Sequence, residues 1–321
     1  MTTTQAAMQT IAPASSPGGV LDIIVLSGGP SVEREVSLQS GHAVATALDL
    51  LGHRVIAGDI GPDDLAILEN EADFVFIALH GTFGEDGTIQ AELDRRHMAY
   101  SGSSADVSRL VMDKVKTKNR LRQCKLPTPP YELVTAETIA GLAERFPVPA
   151  VTKPVASGSS VDTVIVKTPR QLQSAAAGLV ERYGSVLVEA YIAGPELTCG
   201  IIGNQALPVC EIRTKREFYN YEAKYVDNDT EYLFDLDLPA ELIRRIQEIA
   251  LESHRALGCD VLSRVDFMVD ADSLEPFILE INTIPGFTNH SLVPKAAQRA
   301  GMSFDRLCQR IIELSLEKPL A

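Results

Sequence analysis

The sequence predicts a chain of mixed α/β and α+β character that opens with a doubly wound α/β domain. Two apolar runs of strand length predict that domain, 21–26 (LDIIVL) and 73–79 (DFVFIAL), which read as parallel strands buried on both faces. Each run ends in a polar turn, Ser27-Gly28-Gly29-Pro30 in the first case and His80-Gly81-Thr82-Phe83-Gly84-Glu85-Asp86-Gly87 in the second. Sheets of this kind bind ligands beyond the carboxyl ends of their strands. The α+β character comes from the last third, where short strands and flanking helices mix without a regular alternation.

The elements follow in order. After the first turn a helix is expected, with Ser31 as N-cap, the apolar residues Val36, Leu38, Ala43, Val44 and Leu48 along it, and Gly52 beyond its end. A strand at 55–57 precedes the clear one at 73–79. A basic-studded helix is expected over 107–124 and is stopped by Pro127, Pro129 and Pro130. Strands at 150–153, 164–166 and 185–188 come next, and the first two flank a small-residue loop at 155–162 (VASGSSVD). The last region holds strands near 197–202 and 208–212, a polar aromatic stretch at 218–225 (FYNYEAKY), a helix over 239–257 and a strand pair within 264–281. No internal repeat or heptad pattern is present.

The bulk composition narrows the function. A chain of 321 residues, 45% hydrophobic, buries more than one core and suits two or three domains. A formal net charge of −14 argues against nucleic acid as a partner, because phosphate-backbone affinity needs clustered Lys and Arg. Cys124, Cys199, Cys210, Cys259 and Cys308 are scattered and never in CxxC spacing, so neither a disulfide framework nor a zinc site is expected, and a reducing cytoplasm fits. Residues 1–19 lack Lys, Arg and any continuous apolar run. They read as a flexible tail with no signal peptide and no membrane anchor.

Four groups of residues carry chemistry. In Arg264-Val-Asp266 and Glu280-Ile-Asn282 alternate residues share a strand face. The short connection between the two strands makes them antiparallel neighbours and brings Asp266, Glu280 and Asn282 together. Such oxygen ligands suit Mg²⁺ on nucleotide phosphates, although an ordinary hairpin with one wet face gives the same pattern. The turn that follows, through Pro285 and Gly286, can aim a backbone N–H at an oxyanion. Lys153 ends a strand beside Ser157-Gly158-Ser159-Ser160, a loop type that covers phosphates but more often is a plain turn. Lys114 lies on the earlier helix. Glu33 follows the first glycine turn, where a carboxylate either holds a substrate ammonium or favours the helix start. His80 after a buried strand reads more often as a packed, hydrogen-bonded residue than as a catalytic one.

These pieces together resemble the D-alanine:D-alanine ligases of the ATP-grasp superfamily, from about residue 21 to 316. The matching segments are EREVSLQSG (33–41), ALHGTFGEDGTIQ (78–90), MDK (112–114), GSSV (158–161), GPE (194–196), FYNYEAKY (218–225), RVDFMVD (264–270) and EINTIPGFTNHSLVP (280–294). The resemblance implies an ATP-grasp fold behind an N-terminal domain, divided as tail 1–19, substrate domain 20–103, central subdomain 104–191 and C-terminal subdomain 192–321. It implies ligation of two D-alanines through a D-alanyl phosphate, for peptidoglycan precursors, with ATP and two Mg²⁺, or Mn²⁺ instead, in a cytoplasmic homodimer.

The same resemblance distributes roles. Lys114, Lys153 and Lys224 neutralise phosphates, Ser159 and Ser160 lie over them, and Glu189, Ala190, Ile192 and Glu196 hold adenine and ribose. Asp266, Glu280 and Asn282 ligate the metals. Glu33 takes the ammonium of the first D-alanine, and His80 lies near its carboxylate. Ser291 and the Leu292 backbone hold the second. Arg264 and Gly286 stabilise the oxyanion, and Tyr225 with Ser159 and Glu33 closes the site. Lys224-Tyr225 favours D-alanine over D-lactate as acceptor. The rivals are a ligase with D-lactate or D-serine as acceptor and an inactive nucleotide-binding homologue. The sequence departs from the family at Asp162, where Gly is usual. A carboxylate aimed at the triphosphate would repel it, and a solvent-facing one, the expected orientation, would not.

Overall fold

The first apolar run forms β1 (Asp22–Ser27), followed by α1 (Arg34–Leu50), β2 (Arg54–Asp59) and β3 (Phe74–Ile77). The strands make a parallel sheet in the order β2-β1-β3. The computed structural model describes residues 19–214, 230–288 and 290–318. Ser31 is not the cap of α1, contrary to the sequence expectation. Glu33 occupies the N-cap position without a capping bond, and its own N–H donates to Ser31 Oγ at 3.1 Å. The Glu33 carboxylate is engaged elsewhere, by Ser159. The buried face of α1 is also more polar than expected, with Ser37 and Ser40 fully buried. Val36 and Ala43 are instead half-buried and face a cavity.

After α2 (Thr88–Arg95), the helix expected over 107–124 is two helices, α3 (Ala105–Met112) and α4 (Lys114–Gln123). Asp113 adopts an extended conformation between them, and its Oδ1 accepts from Val115 N at 3.1 Å and Lys116 N at 3.0 Å. An aspartate that can cap a new helix competes with continuing the old one. The break leaves Lys114 at the first turn of α4, with its own N–H bonded to Val155 O.

The middle of the chain contains β4 (Tyr131–Thr135), α5 (Leu142–Arg145), β5 (Ala150–Lys153), β6 (Val164–Val166), α6 (Pro169–Tyr183) and β7 (Ser185–Ala190). Its antiparallel sheet runs β4-β7-β5-β6 over a core of its own, in which Val134, Ala150, Leu172, Ala176, Val186 and Val188 are fully buried. Only strands were expected here, yet α6 is well signalled. Thr168 and Gln171 form a reciprocal capping box, Pro169 takes the first turn, and Gly184 ends the helix.

The last part contains β8 (Glu196–Ile202), β9 (Gln205–Ala206), β10 (Cys210–Arg213), β11 (Glu231–Leu233), α7 (Ala240–Leu257), β12 (Leu262–Val269), β13 (Pro276–Asn282), α8 (Leu292–Arg299) and α9 (Phe304–Leu316). The sheet order is β11-β10-β8-β12-β13, with β9 on β8. The apolar face of α7 covers Leu197, Val265 and Phe267. Helix α9 contributes Leu307, Ile311 and Ile312 to the same core as β1, α1 and β3. His53 of the first unit also bonds Gln309 of α9 at 2.8 Å. The first and last parts of the chain therefore share one core.

His254 on α7 is buried, with Nδ1 2.7 Å from Ser263 Oγ, and burial pushes its pKa down to about 4. The unfolded chain binds a proton near pH 6.5 and the folded one only near 4, so stability is full above pH 6.5 and falls as pH drops toward 4. Chemical unfolding at pH 7 and pH 5 should show about 2 kcal/mol lost through this group, a loss that His254→Leu removes.

Candidate active site

Two adjoining cavities, about 440 and 330 Å³, share Lys114, Ser157, Leu279 and Glu280 as walls. The first lies beyond the carboxyl ends of β1 and β3, where a doubly wound sheet is expected to bind. It brings together Glu33, His80, Ser159, Arg264, Asn282, Gly286, Ser291 and Leu292. The second lies between the four-stranded and six-stranded sheets. It brings together Lys153, Ser160, Glu189, Ala190, Ile192, Glu196 and Asp266. Lys224 and Tyr225 lie outside the described residues.

The loop between β5 and β6 forms the partition. Ser159, Ser160 and Asp162 have φ of 51°, 56° and 55°, a left-handed run that non-glycine residues adopt rarely and mostly at functional sites. Ser159 Oγ donates to Glu33 Oε1, and Lys114 Nζ donates to Ser157 O at 2.5 Å. Gly158 permits the approach to Glu33, since a Cβ there would sit 3.0 Å from Glu33 Oε2. Gly81 does so from the opposite side, with φ +66° and a would-be Cβ 2.3 Å from Ser31 Oγ. Asp162 lines neither cavity. Its Oδ2 accepts from Arg182 Nη1 at 2.8 Å and from the Tyr183 hydroxyl, and these bonds, Tyr183's first, hold its carboxyl below the usual range.

His80 is buried and bonded at both ring nitrogens. Nδ1 lies 3.2 Å from the Ile284 carbonyl, an acceptor only, so it carries the proton, and Nε2 faces Ser40 Oγ at 3.1 Å. The same Ser40 Oγ accepts from Phe287 N at 3.3 Å. The ring thus ties α1 to the turn that follows β13.

That turn grows from the β12–β13 pairing, in which Arg264 faces Asn282 and Asp266 faces Glu280. Arg264 grips Asp266 with two bonds, Nε to Oδ1 at 2.8 Å and Nη2 to Oδ2 at 2.7 Å, and Thr198 Oγ1 adds a third at 2.6 Å. Asn282 Oδ1 accepts from Ile284 N at 2.8 Å. Ser291, at the start of α8, accepts at Oγ from Thr288 N at 3.0 Å. Two carboxylates and an amide oxygen are a hard donor set that fits Mg²⁺ better than a softer metal.

The lysines converge on the second cavity. Lys153 Nζ lies 2.5 Å from Glu189 Oε1, and Lys114 Nζ lies 3.5 Å from Glu280 Oε2. Burial lowers the pKa of Lys114 against the pull of Glu280. Sequence reasoning missed Lys118, which is 1% exposed and 2.9 Å from Glu189 Oε2. It sits in KVKTKNRLR (114–122), a run that reads as a solvated face. Its i,i+4 spacing from Lys114, which puts both on one side of a helix, was the available signal.

Known proteins share this fold. Residues 121–313 match a profile for the D-ala D-ala ligase C-terminus, and residues 63–103 match one for its N-terminus. The chain belongs to the D-alanine–D-alanine ligase family. A D-alanine--D-alanine ligase of Moorella thermoacetica is 41% identical, over 92% of this chain and all of the relative. The crystal structure of the Bacillus anthracis D-alanine--D-alanine ligase superposes with a TM-score of 0.82 at 37% identity, covering 92% of this chain and 98% of that one. The structure of that enzyme complexed with ATP gives 0.79 at 34% identity, with the same coverage. The fold is therefore the ATP-grasp fold of this family, with the parallel sheet of β1 to β3 in front.

The outward turn of Asp162 gives a quantitative expectation. An exposed ion pair contributes about 0–1 kcal/mol, and glycine suits the left-handed backbone better. Asp162→Gly should therefore change Mg-ATP affinity, measured by titration, by no more than about fivefold. A larger loss would mean that the Arg182 and Tyr183 contacts are needed to shape the loop.

Proposed function

We propose that the protein joins two D-alanine molecules into D-alanyl-D-alanine through a D-alanyl phosphate, releasing ADP and phosphate, as a step in building peptidoglycan precursors. The observation that carries this reading is that the two cavities adjoin, with Lys114 and Glu280 in the wall of both. A polyphosphate in one would thereby lie beside a carboxylate in the other. Adenine and ribose take the Glu189, Ala190, Ile192 and Glu196 end, and Lys114, Lys153 and Lys224 neutralise the phosphates, with Ser159 and Ser160 above them. Asp266, Glu280 and Asn282 would hold two Mg²⁺ or Mn²⁺ ions, which would offset the negative charge that develops on the phosphates during transfer.

Glu33 holds the ammonium of the first D-alanine, and His80 lies beside its carboxylate. A carboxylate oxygen attacks the γ-phosphorus, and ADP leaves. The amine of the second D-alanine, held through its carboxylate by Ser291 and the Leu292 N–H, attacks the acyl carbon, and phosphate departs with the bridging oxygen. Arg264 and the Gly286 N–H stabilise the tetrahedral oxyanion. Tyr225 with Ser159 and Glu33 closes the site against water, which would hydrolyse an acyl phosphate. The resemblance at Lys224-Tyr225 supports D-alanine over D-lactate as acceptor.

The division into a tail at 1–19 and units at 20–103, 104–191 and 192–321 belongs to the same reading, as does a cytoplasmic homodimer. No helix among the described residues is long and apolar enough to cross a membrane.

Purified protein with Mg-ATP should release ADP with D-alanine but not with L-alanine, and D-lactate or D-serine beside D-alanine should yield no mixed product. Asp266→Ala should lower turnover at least a hundredfold, roughly 3 kcal/mol of transition-state stabilisation. Turnover that persists in the variant would remove Asp266 from the metal site.

A further inference from the structure

Lys118 stands out because nothing assigned to the reaction uses it, and a lysine is almost never fully buried unless it is paired. Its Nζ donates to Thr128 Oγ1 at 2.6 Å, and Thr128 Oγ1 in turn donates to Ile278 O at 2.9 Å. The ammonium is thereby anchored to β13 and held 2.9 Å from Glu189 Oε2, while the other oxygen of that carboxylate meets Lys153 at 2.5 Å. One carboxylate is shared by two ammonium groups.

The charge balance shows what this sharing does. The single negative charge of Glu189 is divided between Lys118 and Lys153, while on the same cavity wall Asp266 is matched by Arg264 and Glu211 by Arg213. Without Lys118 the Glu189 carboxylate would pair wholly with Lys153, and less of the Lys153 charge would remain to attract a polyphosphate. Lys118 itself is too enclosed to touch the nucleotide, and it lines neither cavity.

We infer that Lys118 is a positioning residue for nucleotide binding: by sharing the Glu189 carboxylate it leaves the Lys153 ammonium with net positive charge toward the phosphates. The inference rests on the proposed role of Lys153 and predicts a selective defect. Lys118 then matters for binding phosphate and much less for binding adenine.

The test compares Mg-ATP with adenosine by titration on the full chain. Lys118→Met, which keeps the length and removes the charge, should weaken Mg-ATP about tenfold or more, the scale of one charge-assisted hydrogen bond, and adenosine by less than about threefold. Made in a Glu189→Gln background, the same Lys118→Met change should alter the ATP-to-adenosine affinity ratio by less than about threefold, because the carboxylate that Lys118 shares with Lys153 no longer carries charge. Equal weakening of both ligands, or a Lys118→Met effect on the ratio as large in the Glu189→Gln background as in the parent, would overturn the inference and leave Lys118 a packing residue. If Lys118→Met does not fold, Thr128→Val removes the anchor and should shift the ratio in the same direction, and an unchanged ratio there would also overturn it. Failure of the parent protein to bind Mg-ATP would instead refute the underlying function.

Discussion

The antiparallel register of β12 and β13 is the constraint on which the site depends. It sets Asp266 opposite Glu280 and Arg264 opposite Asn282, so four polar side chains project from a pair of strands whose alternate residues, Val265, Phe267 and Ile281, are buried in the core. A slip of one residue would turn every one of these groups to the other face. The register is secured on the second side as well, where β8 pairs along β12 from Met268 to Leu262. Chemistry that needs oxygen donors in fixed positions is therefore built on the most heavily paired strands of the molecule, which suits preorganisation better than a mobile loop would.

Around this fixed frame the remaining parts divide by what they pack against. The parallel sheet and the C-terminal helix share one core with the back of the frame. The four-stranded sheet closes over its own apolar residues, and it faces the frame across the second cavity. The strained loop at 155–162 links these bodies, through Ser159 to Glu33 and through Ser157 to Lys114. A contact of that kind would couple the proposed phosphate cover to the proposed ammonium site. In the proposed reading the Lys114–Lys118–Lys153 set, divided by Glu189 and Glu280, would supply the attraction that draws a polyphosphate beneath the loop.

Much of this arrangement was legible in the residues. The apolar runs ending in glycine turns pointed to the parallel sheet, and alternation in Arg264-Val-Asp266 and Glu280-Ile-Asn282 pointed to the opposed carboxylates. Local competition was less legible. Asp113 broke a helix that composition alone reads as continuous, and Ser31 lost the cap position because Glu33, three positions before the expected apolar stripe, is held by a loop 126 residues away. Helix α6 escaped notice although Thr168, Pro169 and Gln171 spell its start. Lys118 could not be placed by hydropathy, since only tertiary packing distinguishes it from the exposed lysines beside it. The orientation of Asp162 likewise depended on Arg182 and Tyr183, which sequence spacing does not bring near.

The central claim is that a D-alanine carboxylate oxygen passes through an acyl phosphate before the amide forms. Its most direct test is to supply D-alanine labelled with oxygen-18 in the carboxylate, together with unlabelled Mg-ATP, and to measure the released phosphate by mass spectrometry. The account predicts one labelled oxygen in the phosphate for each dipeptide formed, because the oxygen that attacks phosphorus leaves with it. Unlabelled phosphate released alongside dipeptide would contradict it.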